Sequence, residues 1–172
     1  MQNKKKLLLL SIIQFVLLLA LLGNIMYFKQ SADTFKIKSE SLDPVEPLLG
    51  HYAALSYDFD SISRDNWKGK TELKEGKTAY IVFRKGDNNL YLFDYATDQR
   101  PKHSKFIKAT VEYVYWGSGE DEDVDEINFK HNLSRFYIPE SQMDKYNRGG
   151  NEYIVTIQQK GDRSVVKAVD VQ

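Results

Sequence analysis

The feature that most constrains this chain is an uncharged apolar run of 22 residues, residues 7–28, near its N-terminus. Its polar side chains are Ser11, Gln14 and Asn24. At about 1.5 Å per residue, a helix over this run is roughly 33 Å long, enough for the ~30 Å hydrocarbon core of a bilayer. The run therefore predicts one transmembrane helix.

A cleaved signal peptide is the alternative to a retained anchor, because it also begins with lysines and an apolar core. Signal-peptide cores are about 7–15 residues long and end at a small-x-small cleavage site. The run is longer, and neither residues 23–27 nor residues 30–32 form such a site. The sequence thus favours an anchor, with residues 1–6 as a tail and residues 29–33 as a juxtamembrane linker.

The flanking charges predict the orientation of the helix. Three lysines occupy residues 4–6, whereas Lys29 on the other side is balanced by Asp33. By the positive-inside rule, the N-terminus stays in the cytoplasm and residues 34–172 are exported. We therefore expect a single-pass protein of the cell membrane, with an extracytoplasmic domain and the bilayer as a partner.

Composition narrows what the exported domain can do. Three of the 24 basic residues lie in the tail, so 21 remain against 24 acidic residues. This balance argues against a nucleic-acid partner. The absence of cysteine excludes disulfides, thiolate metal ligands and cysteine nucleophiles.

Polar residues alternate repeatedly with aromatic and β-branched ones, which is typical of half-buried strands. We predict strands at residues 34–39, 52–59, 78–84, 90–95, 105–116, 127–130, 133–138, 153–159 and 164–171. Turn-forming residues at 85–89 and 160–163 predict two β-hairpins, and residues 140–148 a short helix. The fold class is mostly β: one antiparallel barrel or sandwich-like domain of about eight strands.

Two expectations concern single segments. Pro44 and Pro47 should prevent regular structure before Gly50, and residues 60–77 form a long polar connection. In residues 105–116, strict alternation places one set of side chains on a common face. These are Ile107, Ala109, Val111, Tyr113 and Tyr115.

Motifs in residues 42–57, 106–111 and 135–140 occur together. Their notable positions are Asp43, Pro44, Gly50, His51, Tyr52, Leu55, Tyr57, Tyr137, Pro139 and Glu140. In these positions the chain resembles the GDYXXLXY membrane-anchored proteins of bacteria. The resemblance implies an N-terminal anchor, an envelope location and a polytopic membrane protein as a frequent partner, and it supplies no catalytic residue. His51 replaces the motif's aspartate, so any charge-dependent role of that residue is absent or performed differently here.

Two interpretations of the motif remain open. In one, Asp43 and Pro44 begin a turn and Gly50 leads into a strand, so that the motif is a structural junction. In the other, Tyr52 and Tyr57 border a groove with their phenol hydroxyls and bind a peptide or a glycan.

The enzyme hypothesis is a serine–lysine peptidase similar to bacterial signal peptidase. Ser41 lies in a Ser-x-x-Pro stretch before Gly50, and a buried Lys108 could take its proton. The chain departs from that family, because Asp43 stands where a small or apolar residue is tolerated. His51 follows the glycine, and no Pro-Gly-Asp follows the lysine. A turn serine and a solvated lysine are the non-catalytic interpretation.

Metal binding finds little support in the sequence. The acidic run at residues 120–126 matches the first spacings of an EF-hand loop, but Glu126 stands at the required glycine and Asn132 at the bidentate position. Such a run is typical of a solvated loop. His51, His103 and His131 are far apart in the sequence. We predict no metal site and no cofactor.

A modest basic cluster precedes and begins one predicted strand. It comprises Lys102, His103, Lys105 and Lys108. It suits lipid headgroups, an acidic partner, or solubility alone. Taken together, the sequence predicts a non-catalytic accessory or binding subunit of a membrane assembly, with the peptidase as the alternative.

Overall fold

The computed structural model describes residues 2–39, 41–45, 52–115, 126–138, 141 and 152–171. The chain divides into two compact units, Met1–Asp33 and Thr34–Gln172. The first unit contains one long helix, and the described part of the second contains eleven strands with short 3-10 turns. The predicted fold class, a mostly β domain that follows an apolar helix in the sequence, is confirmed.

Helix α1 spans Gln2–Ser31 and so extends beyond the predicted run at both ends. No glycine or proline occurs in residues 2–6 or 29–31 to stop it. Its segment Lys4–Ser31 is long and apolar enough to cross a membrane. The Ser11 hydroxyl donates to the Leu7 carbonyl oxygen at 3.1 Å, so this polar interruption has its own partner.

The strands assemble into three sheets around one core. Their bounds are β1 (Asp33–Ser39), β2 (Ser41–Val45), β3 (Tyr52–Ser56), β4 (Ser61–Ser63), β5 (Thr78–Lys85), β6 (Tyr91–Thr97), β7 (Lys105–Tyr115), β8 (Glu126–Lys130), β9 (Arg135–Tyr137), β10 (Tyr153–Lys160) and β11 (Arg163–Val171). The spatial orders are β1-β10-β11, β2-β3-β9 and β4-β8-β7-β5-β6. Each sheet contributes to a single hydrophobic cluster, for example through Ile37, Leu55 and Ile107.

Both predicted hairpins are present. β5 and β6 pair antiparallel, and their loop holds Asn88 and Asn89 at positive φ of 55° and 61°. Asparagine is one of the few residues that tolerate this conformation. β10 and β11 pair antiparallel across a turn in which Gly161 has a φ of 60°.

Two strands were not expected from the sequence. β2 contains Pro44, where regular structure was predicted to be absent, and it lies at the edge of its sheet. An edge position tolerates proline because the missing N–H need not face a neighbouring strand. β4 lies within the predicted connection at 60–77 and pairs with β8, with Ile62 opposite Ile127 and both side chains buried.

Strand β7 shows where strict alternation is wrong. Ile107, Ala109 and Val111 are buried as predicted, whereas Tyr113 and Tyr115 are 48% and 55% exposed. The register against β8 shifts between Val111 and Tyr113, which marks a β-bulge. One extra residue reverses which side chains face the core. The predicted helix at 140–148, apart from Ser141, and residues 120–125 lie outside the described residues.

Candidate functional site

The segments that carry the family resemblance come together in one small sheet. β3 lies between β2 and β9 and is antiparallel to both. Tyr52 lies opposite Val45 in β2 and opposite Tyr137 in β9, where the Tyr137 side chain is 71% exposed. We call β2, β3 and β9 the motif sheet.

Other motif positions divide between this sheet and the undescribed part of the chain. Asp43 lies opposite Ala54, and Pro44 lies in the next register position of β2. Four further positions lie outside the described residues: Gly50, His51, Pro139 and Glu140.

Leu55 and Tyr57 belong to the hydrophobic core, each with only 3% of its surface exposed. The Leu55 N–H donates to the Ser134 carbonyl oxygen at 2.9 Å, which ties the end of β3 to the chain before β9. These two motif residues therefore pack inside the domain.

The Tyr57 hydroxyl is committed to an internal hydrogen bond. It donates to the Leu133 carbonyl oxygen at 2.9 Å, and the ring stacks on Phe59 with centroids 4.8 Å apart. Burial, and secondarily the nearby Asp60 carboxylate, raise the pKa of Tyr57 far above its ordinary value. This phenol stays neutral at physiological pH, and its hydroxyl is not available to border a groove.

A buried histidine, His131, lies against these aromatic residues. Its Nε2 is 2.6 Å from Oδ1 of Asp60, and its side chain is 1% exposed. The other carboxylate oxygen of Asp60 accepts the Tyr57 backbone N–H at 2.9 Å. We call Tyr57, Phe59, Asp60, His131 and Leu133 the histidine cluster.

The hydrogen bonds fix the tautomer of His131. The Leu133 N–H donates to its Nδ1 at 3.2 Å, so Nδ1 must be unprotonated. Nε2 then carries the proton, and its N–H donates a hydrogen bond to the Asp60 carboxylate. Both ring nitrogens are therefore engaged inside the protein, and the imidazole links the Asp60 carboxylate to the backbone of Leu133.

Sequence reasoning missed the histidine cluster. Asp60 and His131 are 71 positions apart, and each lies in a polar segment at the end of a strand. His103, by contrast, is exposed in the loop before β7. The only local signal for Asp60 is its place just after an aromatic strand, which many surface turns share.

No metal centre forms among the residues that the structure describes, since no three His, Cys, Asp or Glu side chains there could hold an ion together. Of the acidic run, the structure describes Glu126, whose carboxylate accepts a hydrogen bond from the Ser61 hydroxyl. The rest of the acidic run, residues 120–125, lies outside the described residues.

The two residues of the peptidase hypothesis lie in different sheets. Ser41 lies opposite Ser56 in the motif sheet, and Lys108 lies opposite Tyr80 in the five-stranded sheet. The Lys108 side chain is 45% exposed, with its Nζ 3.7 Å from Oδ2 of Asp162. Lys108 is therefore not the buried, unpaired lysine that a serine nucleophile needs.

A cleft of about 400 Å³ opens between β1 and β6. Most of its lining is apolar, including Ile37, Phe59 and Phe83. Lys38 and Glu152 also line it and pair with each other at 2.7 Å. Its volume lies within the range of ordinary ligand sites.

The fold and the site define a class: a mostly β domain that follows, in the sequence, a helix able to cross a membrane, with the motif residues Leu55 and Tyr57 in the core of the domain. Within that class, the chain belongs to the GDYXXLXY protein family, whose model matches residues 14–168. The resemblance read from the motifs is thereby confirmed. No curated protein and no solved structure matches the chain.

Proposed function

We propose that this chain is a non-catalytic accessory or binding subunit of a bacterial membrane assembly, with a cytoplasmic N-terminus and an extracytoplasmic β domain. Helix α1 carries the proposal, because residues 7–24 are all exposed and, apart from Ser11, Gln14 and Asn24, all are apolar. Transfer of such a surface from water to hydrocarbon is strongly favourable. A retained anchor, rather than a cleaved signal sequence, is part of this proposal.

A polar side chain within the span supports a protein partner in the membrane. Gln14 is exposed, and its amide has no hydrogen-bond partner within the described residues. It lies about 10 Å along the helix from the start of the apolar run. An amide in hydrocarbon is costly alone and is stabilised by a polar group on a neighbouring helix. A polytopic membrane protein can supply that group.

The cleft supports a binding role for the exported domain, whereas the polar groups of the histidine cluster are used inside the protein. The Tyr57 hydroxyl and both His131 nitrogens are occupied by internal hydrogen bonds. The cleft between β1 and β6 offers an apolar surface of ligand size.

Single-cysteine labelling tests the topology, because the natural chain contains no cysteine. Ser104→Cys and Gln2→Cys variants of the full chain are treated with a membrane-impermeant maleimide in intact cells. We expect Ser104→Cys to react at once and Gln2→Cys only after permeabilisation. The reverse pattern, or a mature chain free in solution without its leader, would refute the anchored arrangement.

Crosslinking in native membranes tests the partner. We expect an integral membrane protein to co-purify with the wild-type chain and its yield to fall about fivefold in Gln14→Leu, since interhelical polar contacts are modest. Ser11→Ala is the matched control, because that hydroxyl already bonds within its own helix. Recovery of the wild-type chain alone would contradict the accessory role.

A further inference from the structure

Basic residues concentrate in two separate parts of the sequence. Residues 99–110 contain four basic residues and no acidic one, and residues 160–168 contain three basic residues and one acidic residue. The whole chain has 24 of each sign. The neutral total therefore conceals a local excess of positive charge.

The fold brings both segments to the face of β7 that is turned away from the core. Arg100 Nε lies 2.7 Å from Oδ1 of Asp162, and Lys108 Nζ lies 3.7 Å from Oδ2 of the same carboxylate. Lys130 of β8 lines a shallow depression together with Lys108 and Asp162. We call these three basic residues the basic patch, together with the exposed Lys102, which lies two positions after Arg100 in the same loop.

The basic patch keeps unsatisfied charge at the surface. Asp162 contributes one negative charge against four positive ones. Lys102 and Lys130 form no ion pair with any residue in the described ranges. The side chains of Arg100 and Lys108 are 55% and 45% exposed. A surplus of three positive charges remains available to an anionic partner.

We propose that the basic patch binds the phosphate groups of anionic phospholipids at a membrane surface. This inference rests on the proposed function, because an anchored domain meets headgroups at high local concentration. The four cations come from a loop and two strands and do not converge on one buried polar group. Mobile lipid headgroups can rearrange to meet cations that are distributed over a surface. An acidic protein would instead need carboxylates at matching fixed positions.

Lysine acetylation in lipid nanodiscs tests the proposal with the full chain. The protein is placed in discs of phosphatidylcholine alone or with one-third phosphatidylglycerol, and a water-soluble acetylating reagent is added. Mass spectrometry then gives a rate for each lysine. We expect Lys102, Lys108 and Lys130 to react about fivefold more slowly in the anionic discs. Lys70 and Lys74, which are exposed outside the patch and far in sequence from the anchor, serve as internal controls.

The outcomes separate this inference from the anchor itself. A chain that leaves the discs during gel filtration refutes the proposed function, whereas equal lysine rates in a chain that stays refute the basic patch alone. Equal slowing of Lys70 and Lys74 would also overturn it, as would the same protection by millimolar phosphate in neutral discs. We expect protection of Lys102 to vanish in Lys108→Gln/Lys130→Gln and to persist in Lys70→Gln/Lys74→Gln. High salt should abolish the difference between the two lipids.

Discussion

Two aspartates of this domain have similarly exposed side chains, 34% for Asp60 and 39% for Asp162, yet each pairs with a nitrogen-bearing side chain in opposite surroundings. Asp60 Oδ1 lies 2.6 Å from a His131 ring that is 1% exposed, and Asp162 Oδ1 lies 2.7 Å from an Arg100 side chain that is 55% exposed. The distances are nearly equal, but the cost of losing each contact is not. Water replaces the partner at the surface, whereas the buried Leu133 N–H, which donates to the other nitrogen of the His131 ring, would stay unpaired. The contact distance alone therefore does not give its energy.

The largest effect should come from His131→Ala. The change removes the partner of Asp60, leaves the Leu133 N–H unsatisfied and opens a cavity among aromatic rings. We expect the free energy of unfolding to fall by about 2–4 kcal/mol. Urea unfolding of the full chain in detergent, followed by near-ultraviolet circular dichroism, measures it. His103→Ala is the exposed control and should change it by under about 0.5 kcal/mol. Equal losses of unfolding free energy in His131→Ala and His103→Ala would contradict the claim that a buried contact costs more to lose than an exposed one.

The next effect concerns Tyr57 and alkaline pH. Its pKa is raised in the folded state by burial and by Asp60, so the unfolded chain loses this proton first. The resulting stability is fully present below about pH 10 and declines as the pH rises above it. Tyr57→Phe should cost about 1 kcal/mol at pH 7 and show a shallower loss between about pH 9 and 11.

Denaturation midpoints at both ends of that pH range measure this difference. Tyr113→Phe, on a side chain that is 48% exposed, is the matched control and should keep the wild-type slope. An unchanged slope in Tyr57→Phe would show that the buried hydroxyl is not the source of alkaline sensitivity.

The smallest effect should come from Asp162→Asn. Its partners are about half exposed, so water and salt already screen the attraction. We expect the free energy of unfolding to change by less than about 0.5 kcal/mol at 0.15 M salt. A loss as large as that in His131→Ala would erase the distinction between the two aspartates.

Local signals in the sequence were enough for α1 and for both hairpins. The 7–28 run, the asparagines at the β5–β6 turn and Gly161 each act over a few neighbouring residues. They need no knowledge of what packs against them. Tyr57 and Leu55 were recognised as motif residues, but their role in the core depends on β9 and on Leu133, which lie far along the chain.

Features that depend on distant partners were not predictable in the same way. Pro44 fits a strand because β2 is at a sheet edge, and the sheet order is not a local property. The pair of Asp60 and His131 joins two polar segments whose proximity follows from the whole topology. The motif positions were thus predictable from the sequence. The hydrogen bonds of Tyr57 and of the Asp60–His131 pair became known only from the fold.

The extra residue in β7 has an evolutionary consequence. It presents Tyr113 and Tyr115 to solvent without altering the apolar sequence that precedes them. Insertion or deletion of one codon at this position can therefore change which side chains of the strand face solvent, without substituting any other residue.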